Sequence, residues 1–255
     1  MKVSVITATN NSEETIEDCI KSLFAQVYSN IEFIIIDNNS TDSTLKIIER
    51  YKIKNKSIKL ISESDNGLYD ALNKGIRYAS GDIIGFLHSD DLYHDCFSVL
   101  DVVSYFRDNK SDGVFGDLHY VNKENTNKVI RLWKSCEFQP EFLKRGWMPA
   151  HPTLFLKKHV YDKHGEFNTS FKISADYDFM LRILKDKTLE FGYLPRVITK
   201  MRLGGASNRS IKNIIQKTRE DYKAVSSNNI GGWFSILLKN ISKIKQFKFT
   251  TILFV

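Results

Sequence analysis

Over its first 91 residues the chain alternates apolar, strand-like runs with amphipathic helical segments, and this alternation restricts the fold more than any other feature. Val3 to Ile6 reads as a strand. A helix follows from Ser12 to about Val27, with Glu13 and Glu14 in its first turn and Ile16, Cys19, Ile20 and Leu23 along one face. A second strand, Ile31 to Ile36, ends at Asp37, and a helix over Thr41 to Tyr51 turns Leu45, Ile47 and Ile48 inward. The third strand covers Ile58 to Ser62, and a helix over Tyr69 to Ala79 leads through Gly81 to the apolar run Asp82-Ile83-Ile84-Gly85-Phe86-Leu87. Repeated strand–helix–strand units predict an α/β fold with a mainly parallel central sheet and right-handed crossovers.

Such a sheet opens the carboxyl ends of its strands onto one edge, where open α/β folds bind ligands. Three strand ends carry polar clusters: Thr7-Ala8-Thr9-Asn10, Asp37-Asn38-Asn39-Ser40, and Asp90-Asp91 in Phe86-Leu87-His88-Ser89-Asp90-Asp91. Hard divalent cations such as Mg²⁺ or Mn²⁺ take oxygen ligands, usually one or two carboxylates plus substrate phosphates, so adjacent acids at a strand end suit a metal or a ribose. Ser and Asp also cap helices, so the same triplet reads as an acidic turn leading into a helix near Asp95. Asp37 suits hydrogen bonds from a base or ribose, or a turn. A GxGxxG loop and a Walker loop are both absent.

All four prolines (Pro140, Pro149, Pro152, Pro195) fall in the second half, which marks a change of architecture near residue 120. A strand at Gly113–Gly116, a loop-rich stretch from Leu118 to Thr153 and a helix around Asp176–Leu184 are expected there. A hydrophobic content of 42% with 17 Phe argues against disorder. Cys19, Cys96 and Cys136 have no ligand spacing, which fits a reducing, cytoplasmic setting better than disulfides or zinc. Met1-Lys2-Val3-Ser4 enters a strand directly, with no signal segment, and no apolar run approaches the roughly 20 residues that span a bilayer. Residues 200–255 hold eleven Lys/Arg against Glu220 and Asp221, a local +9 within a chain total of +7, so the first 199 residues sit near −2.

Taken together, Val-Ile-Thr-Ala-Thr-Asn at 5–10, Ile-Asp-Asn-Asn-Ser-Thr-Asp-Ser-Thr at 36–44 and Ser-Glu-Ser-Asp-Asn-Gly-Leu-Tyr-Asp-Ala-Leu-Asn-Lys-Gly at 62–75 resemble the family 2 glycosyltransferases of the GT-A fold. The resemblance is to the bacterial enzymes that build surface polysaccharides and O-antigen units. It continues through Ala79-Ser80-Gly81-Asp82, Phe86 to Asp91, His151-Pro152-Thr153 and Ala175-Asp176-Tyr177-Asp178, and covers roughly residues 1–207. It implies a domain over 1–207, with a nucleotide-binding half (1–117) and an acceptor-binding half (118–207), and a basic helical extension over 208–255.

The resemblance also implies roles. Thr7, Ala8, Thr9 and Asp37 form the pocket for a base and ribose, usually uridine, and Asp65 completes it. Asp90 and Asp91 are the family's acid pair, Asp90 near the ribose and Asp91 on Mn²⁺ or Mg²⁺. Asp176 stands at the position of the general base; the acid usual before it is Ala175 here, which makes Asp178 a substitute candidate. Position 88 is often Asp or Asn in the family and is His88 here, which reads as a packing residue or one that supports a neighbouring ligand residue. His151 falls where the family often has a His near the site. Asn73 and Lys74 are expected to face the diphosphate, Asp117 and His119 the acceptor sugar, and Gly204-Gly205-Ala206-Ser207 to form a mobile loop. Arg182 has a neighbouring acid or a diphosphate as its candidate partners.

From Trp233 onward, Phe234, Leu237, Leu238, Ile241 and Ile244 recur at helical spacing among Lys239, Lys243, Lys245 and Lys248. That pattern suits either a helix packed on the domain with a solvated lysine face, or contact with anionic lipid at the inner face of a membrane. No nucleic-acid-binding motif accompanies the charge. The expected activity is metal-dependent inverting transfer of a hexose or N-acetylhexosamine from a UDP-sugar to a glycan acceptor, lipid-diphosphate-linked. A sugar-nucleotide nucleotidyltransferase and a non-catalytic nucleotide-sugar-binding scaffold are the alternatives; the first lacks its Gly-rich basic loop and the second has no need of Asp90, Asp91 and Asp176.

Overall fold

A computed structural model describes residues 1–204 and 211–248, with side chains described for 1–204 and 212–241. The first half follows the alternation: β1 (Val3–Thr9), α1 (Ile16–Phe24), β2 (Ile31–Asp37), α2 (Thr44–Lys54), β3 (Ile58–Ser62), α3 (Leu68–Tyr78) and β4 (Ile83–Phe86). Then come β5 (Leu92–Tyr93), α4 (Ser98–Asp108), β6 (Gly113–Val121), β7 (Val129–Trp133), 3-10 turns at Pro140–Arg145 and His151–Thr153, β8 (Phe155–Lys157), α5 (Lys158–His164), α6 (Ala175–Leu184), β9 (Phe191–Arg202), α7 (Ile211–Ser227) and α8 (Trp233–Lys248).

One sheet runs β3-β2-β1-β4-β8-β6-β9-β5, with β7 on β6. Its β3-β2-β1-β4 section is parallel, while β8, β7 and β5 pair antiparallel and β6 with β9 is parallel. The continuous apolar runs are explained by two cores. In β1 and β2, Val3, Val5, Phe33 and Ile35 face the side covered by α1 and α4, and Ile6, Ala8, Ile34 and Ile36 face the side covered by α3 and α6. A strand buried on both faces has no room for alternating polarity.

Both early helices start later than their sequence pattern suggests. Residues 10–13 and 40–44 bond to each other instead: Thr41 N–H donates to Asn11 Oδ1 (2.8 Å), Ser43 N–H to Glu13 (2.8 Å) and Ser12 N–H to Thr44 (2.7 Å). These loops therefore trade a helical turn for contact at the sheet edge. The region expected as loop from Leu118 to Thr153 instead extends β6 to Val121 and adds β7, because β6 gains long-range partners in β7 and β9 that no local pattern announces. Part of the expected mobile loop, residues 205–207, lies outside the described residues.

The helix expected from Trp233 packs on the domain. Ala224, Val225 and Ile236 join the same core as α6, whereas Trp233, Phe234, Leu237 and Ile241 stay exposed. In the other core-facing helix, α3 lies directly on β1 because residue 75 is glycine: a Cβ there would meet Ile6 Cγ2 at 2.3 Å. Gly75→Ala should destabilise the protein by about 1–3 kcal/mol through this overlap, read as a lower urea midpoint; an unchanged midpoint would show that α3 can move away at no cost.

Candidate active site

The parallel register brings the ends of β1, β2 and β3 level, pairing Thr9 with Asp37 and Asp37 with Ser62. The loops beyond them are joined in turn. Asn38 N–H donates to Thr9 O (2.9 Å), Asn10 Nδ2 to Asn38 O (2.7 Å) and Asp65 N–H to Asn38 Oδ1 (2.8 Å). Thr9 Oγ1 and Asp65 Oδ2 are buried without a hydrogen-bond partner, so this edge presents one donor/acceptor and one acceptor not used by the fold.

Other residues expected to touch the nucleotide are spent internally. Thr7, fully buried, donates its hydroxyl to Leu87 O and ties β1 to the end of β4. Asp37, also fully buried, accepts from Ser40 N–H (3.0 Å), the Ser40 hydroxyl (2.5 Å) and the Ser62 hydroxyl (2.7 Å). Both hold the edge together, and Ala8 beside them is 8% exposed. Lys74 is ion-paired to Asp65 and to Glu63 (2.9 Å), which holds its pKa above the ordinary lysine range.

Asp91 differs from every acid around it. It is 1% exposed, and neither carboxylate oxygen has a hydrogen-bond partner. Burial, followed by the charge of Asp90, pushes its pKa well above the usual carboxylate range. An orphaned buried carboxylate is costly unless something completes it. The donor set suits a hard cation: two free oxygens at a strand end, but no cluster of three or more His, Cys, Asp or Glu among the described residues. Asp91 would thus supply a protein ligand to Mg²⁺ or Mn²⁺, with substrate phosphate and water filling the rest of the shell. Asp90, partly exposed, turns its carbonyl to Arg202 Nη1 (2.8 Å). That arginine, which the sequence pattern does not single out, also meets Asp18 (2.6 Å) and the Lys123 carbonyl (3.0 Å).

Beside this edge lies a cavity of about 360 Å³, walled by Tyr69, His88, His151, Asp176, Tyr120 and Trp133 together with the end of β9 and α7 and α8. Asp176 occupies the first turn of α6, where a helix favours negative charge. Its Oδ1 lies 3.1 Å from the Tyr69 hydroxyl, and its other oxygen has none of the described contacts. Glu220 of α7 holds the start of α6 by accepting from the N–H groups of Lys172 (3.1 Å), Ile173 (2.8 Å) and Ser174 (3.0 Å). Opposite, His151 stacks on Phe86 (5.3 Å between centroids) and lies 5.8 Å from the His88 ring, with both His151 nitrogens buried and unpartnered. His88 lines the same cavity.

Four further residues expected at the site make contacts within the fold. Asp178, one turn from Asp176, faces away from the cavity and accepts from Arg182 Nε (3.1 Å) and Asn228 Nδ2 (3.0 Å), which resolves the partner of Arg182 as an acid. Asn73 pins the backbone of Phe167 through two bonds of 2.8 and 2.9 Å. Asp117 accepts from Ser135 N–H (2.7 Å) and the Tyr193 hydroxyl (2.9 Å). His119 sits edge-on to His94 (5.2 Å), outside the cavity. Each is polar and near a strand or helix end, and sequence spacing alone does not show these contacts. Glu220 had a legible signal: with Asp221 it is the sole acid pair in the basic C-terminal stretch.

A larger, more open cavity of about 710 Å³ lies elsewhere, between α4, the Pro140 turn and the start of β9, and none of the strand-end acids reaches it. The sheet topology is that of a GT-A-like fold, with an acid at the end of β4 and a carboxylate at the start of α6. The profile described as Glycosyl transferase family 2 matches residues 4–165, and the chain belongs to that family. A PGL/p-HBAD biosynthesis glycosyltransferase of Mycobacterium bovis is 28% identical over 209 residues, covering 80% of this chain and 78% of the relative. Staphylococcus aureus TarS 1–349 in complex with UDP-GlcNAc superposes with a TM-score of 0.68 at 20% identity, covering 88% of this chain and 66% of that one. The mannosyltransferase PcManGT from Pyrobaculum calidifontis in complex with GDP-Man and Mn²⁺ gives 0.65 at 19%, covering 89% and 63%.

His151 makes the stability of this site pH-dependent. Burial lowers its pKa from 6.5 to about 4. As the pH falls below 6.5 the unfolded chain takes up a proton that the folded chain refuses until about 4, so stability held above 6.5 is lost on acidification. The loss amounts to roughly 2 kcal/mol by pH 4.5. His151→Gln should lose less stability than the wild type between pH 7 and 4.5; equal losses in urea midpoint would exclude the buried neutral imidazole as the cause.

Proposed function

We propose that the chain is an inverting glycosyltransferase that moves a hexose or N-acetylhexosamine from a UDP-sugar to a glycan acceptor, lipid-diphosphate-linked, in the assembly of a bacterial surface polysaccharide. The observation that carries this reading is the pairing of two unlike carboxylates. Asp91 is buried with both oxygens orphaned at a strand end, and Asp176 opens into the adjacent cavity.

In this reading Thr9, Asp65 and Asp90 hold the base and ribose at the strand ends, in a frame built by Thr7, Ala8 and Asp37. Asp91 holds Mn²⁺ or Mg²⁺, which when bound neutralises the charge that develops on the departing diphosphate. Tyr120 and Trp133 stack with rings 9° from parallel and line the cavity, a surface suited to the apolar face of a sugar. Asp176 accepts the proton of the acceptor hydroxyl, which attacks the anomeric carbon on the face opposite the leaving UDP. The Tyr69 hydroxyl, 2.7 Å from the Ile173 carbonyl and 3.1 Å from Asp176 Oδ1, lies beside one oxygen of Asp176 and leaves the other for that proton. His88 and His151, neutral because burial lowers both pKa values, donate or accept hydrogen bonds to the sugars without adding charge.

A peripheral position at the inner face of a membrane fits the exposed Phe234, Leu237 and Ile241 on α8, in a segment whose sequence is rich in lysine. No helix among the described residues is long and apolar enough to cross a bilayer. The test is acceptor-dependent UDP release from UDP-glucose, UDP-galactose, UDP-GlcNAc or UDP-GalNAc with Mn²⁺. Asp176→Asn should lower kcat by about 10²–10⁴ while leaving UDP affinity within about twofold. Equal loss of both would remove the base assignment.

A further inference from the structure

The segment that leads into α6 forms neither helix nor strand, so nothing local fixes where Asp176 stands. Ser174 occupies the N-cap position of α6, but its hydroxyl makes no bond to the helix it precedes and donates to Asp221 of α7 instead (2.8 Å). The support comes from α7. Glu220 accepts the N–H groups of three successive residues, Lys172 on Oε1 (3.1 Å) and Ile173 (2.8 Å) and Ser174 (3.0 Å) on Oε2. Gln216, one turn earlier on α7, donates to Glu220 Oε1 (2.9 Å), and Lys223 Nζ lies 4.8 Å from the centre of the Phe171 ring. Burial alone would raise the Glu220 pKa, yet Gln216 and the three N–H groups hold it below the ordinary range, so the carboxylate is charged when it makes these bonds. Charge-assisted bonds of this kind are stronger than neutral ones.

Ile173 is held from both sides. Its N–H goes to Glu220 of α7, and its carbonyl lies 2.7 Å from the Tyr69 hydroxyl of α3, the same hydroxyl that stands 3.1 Å from Asp176 Oδ1. Asp176 follows three positions later, in the first turn of α6, so a displacement of Ile173 is passed on to it. Glu220 itself does not line the cavity and reaches the reaction only through what it holds. We infer that Glu220 is a positioning residue for transfer: by fixing Ile173 between α7 and Tyr69 it sets the place of the Asp176 carboxylate, which makes α7 part of the catalytic unit. The inference rests on the reading of Asp176 as the base. Moving a reacting group by about 1 Å costs on the order of 10²-fold in rate, so contacts that leave the substrate untouched still govern turnover.

The experiment measures UDP release by the full chain from UDP-glucose, UDP-galactose, UDP-GlcNAc and UDP-GalNAc with Mn²⁺ and water as the acceptor, alongside calorimetric UDP binding. Glu220→Ala should lower kcat about tenfold or more, while the donor KM and UDP affinity stay within about twofold. The UDP stoichiometry should be unchanged, whereas partial unfolding would lower it. Glu220→Gln keeps the length of the side chain and one acceptor oxygen, so it should lose about threefold; it carries the test if the alanine variant does not fold. Tyr69→Phe releases the other side of Ile173, so the double variant should lose well under the product of the two single losses. Wild-type kcat in the Glu220 variants, a matching rise in KM, or losses that multiply overturn the inference. Asp176→Asn at wild-type turnover removes the base reading and the inference with it, whereas an inactive Asp176→Asn beside a fully active Glu220→Ala overturns the inference alone. If the wild type releases UDP from none of the four donors, amide exchange decides. Glu220→Ala should then speed exchange at Lys172, Ile173 and Ser174 about tenfold or more with β1 and β2 unchanged, and equal exchange overturns the inference.

Discussion

The guanidinium of Arg202, 5% exposed, joins the parts of the molecule on which the site depends. It stands at the end of β9 and reaches Asp18 on α1, the carbonyl of Asp90 after β4, and the carbonyl of Lys123 beyond β6. A buried guanidinium is tolerated when its donors are met, and here the three acceptors come from three distant segments. The same contacts fix the loop that carries Asp90 and Asp91, and they set the end of β9 against the cavity. The charge of Arg202 also partly offsets the burial that raises the Asp91 pKa.

Around that anchor the buried acids divide into two kinds. Glu32, at the opposite end of the sheet, accepts from Lys2 (2.7 Å), from Ser4, and from Ser80 N–H (2.6 Å) and hydroxyl (2.7 Å). Asp37, Asp117 and Asp178 are similarly occupied by the fold. Asp91 and one oxygen of Asp65 are left over. Since folding alone gives no reason to bury an unpartnered carboxylate, the leftover acids mark where a ligand completes the structure. The C-terminal helices belong to the same design: Glu220 holds the start of the helix that bears Asp176, and Asp221 holds two lysines at the cavity wall.

The strands of the first half were legible because they are buried on both faces, and Ile58–Ser62 carries the same bounds in sequence and structure. Polar clusters at their ends followed from topology, and the family follows from the same residues. What pattern could not supply was the accounting of hydrogen bonds. Thr7 and Thr9 are two residues apart with the same side chain, yet one is spent on Leu87 and the other is free. Asp176 and Asp178 differ in the same way, because two residues along a helix is a turn of about 200°. β9, β7 and the contribution of α7 were hidden for another reason: their partners lie far away in sequence, and their half-buried surfaces carry no clean period.

The central claim is that the orphaned carboxylate of Asp91 awaits a cation brought with a nucleoside diphosphate. Calorimetric UDP binding to the wild type and to Asp91→Asn, each with Mn²⁺ and with chelator, tests it most directly. The account predicts that Mn²⁺ tightens UDP binding to the wild type by about tenfold or more and does little for the variant, with chelator values alike in the two proteins. Equal Mn²⁺ enhancement in both proteins, or none in the wild type, would contradict it.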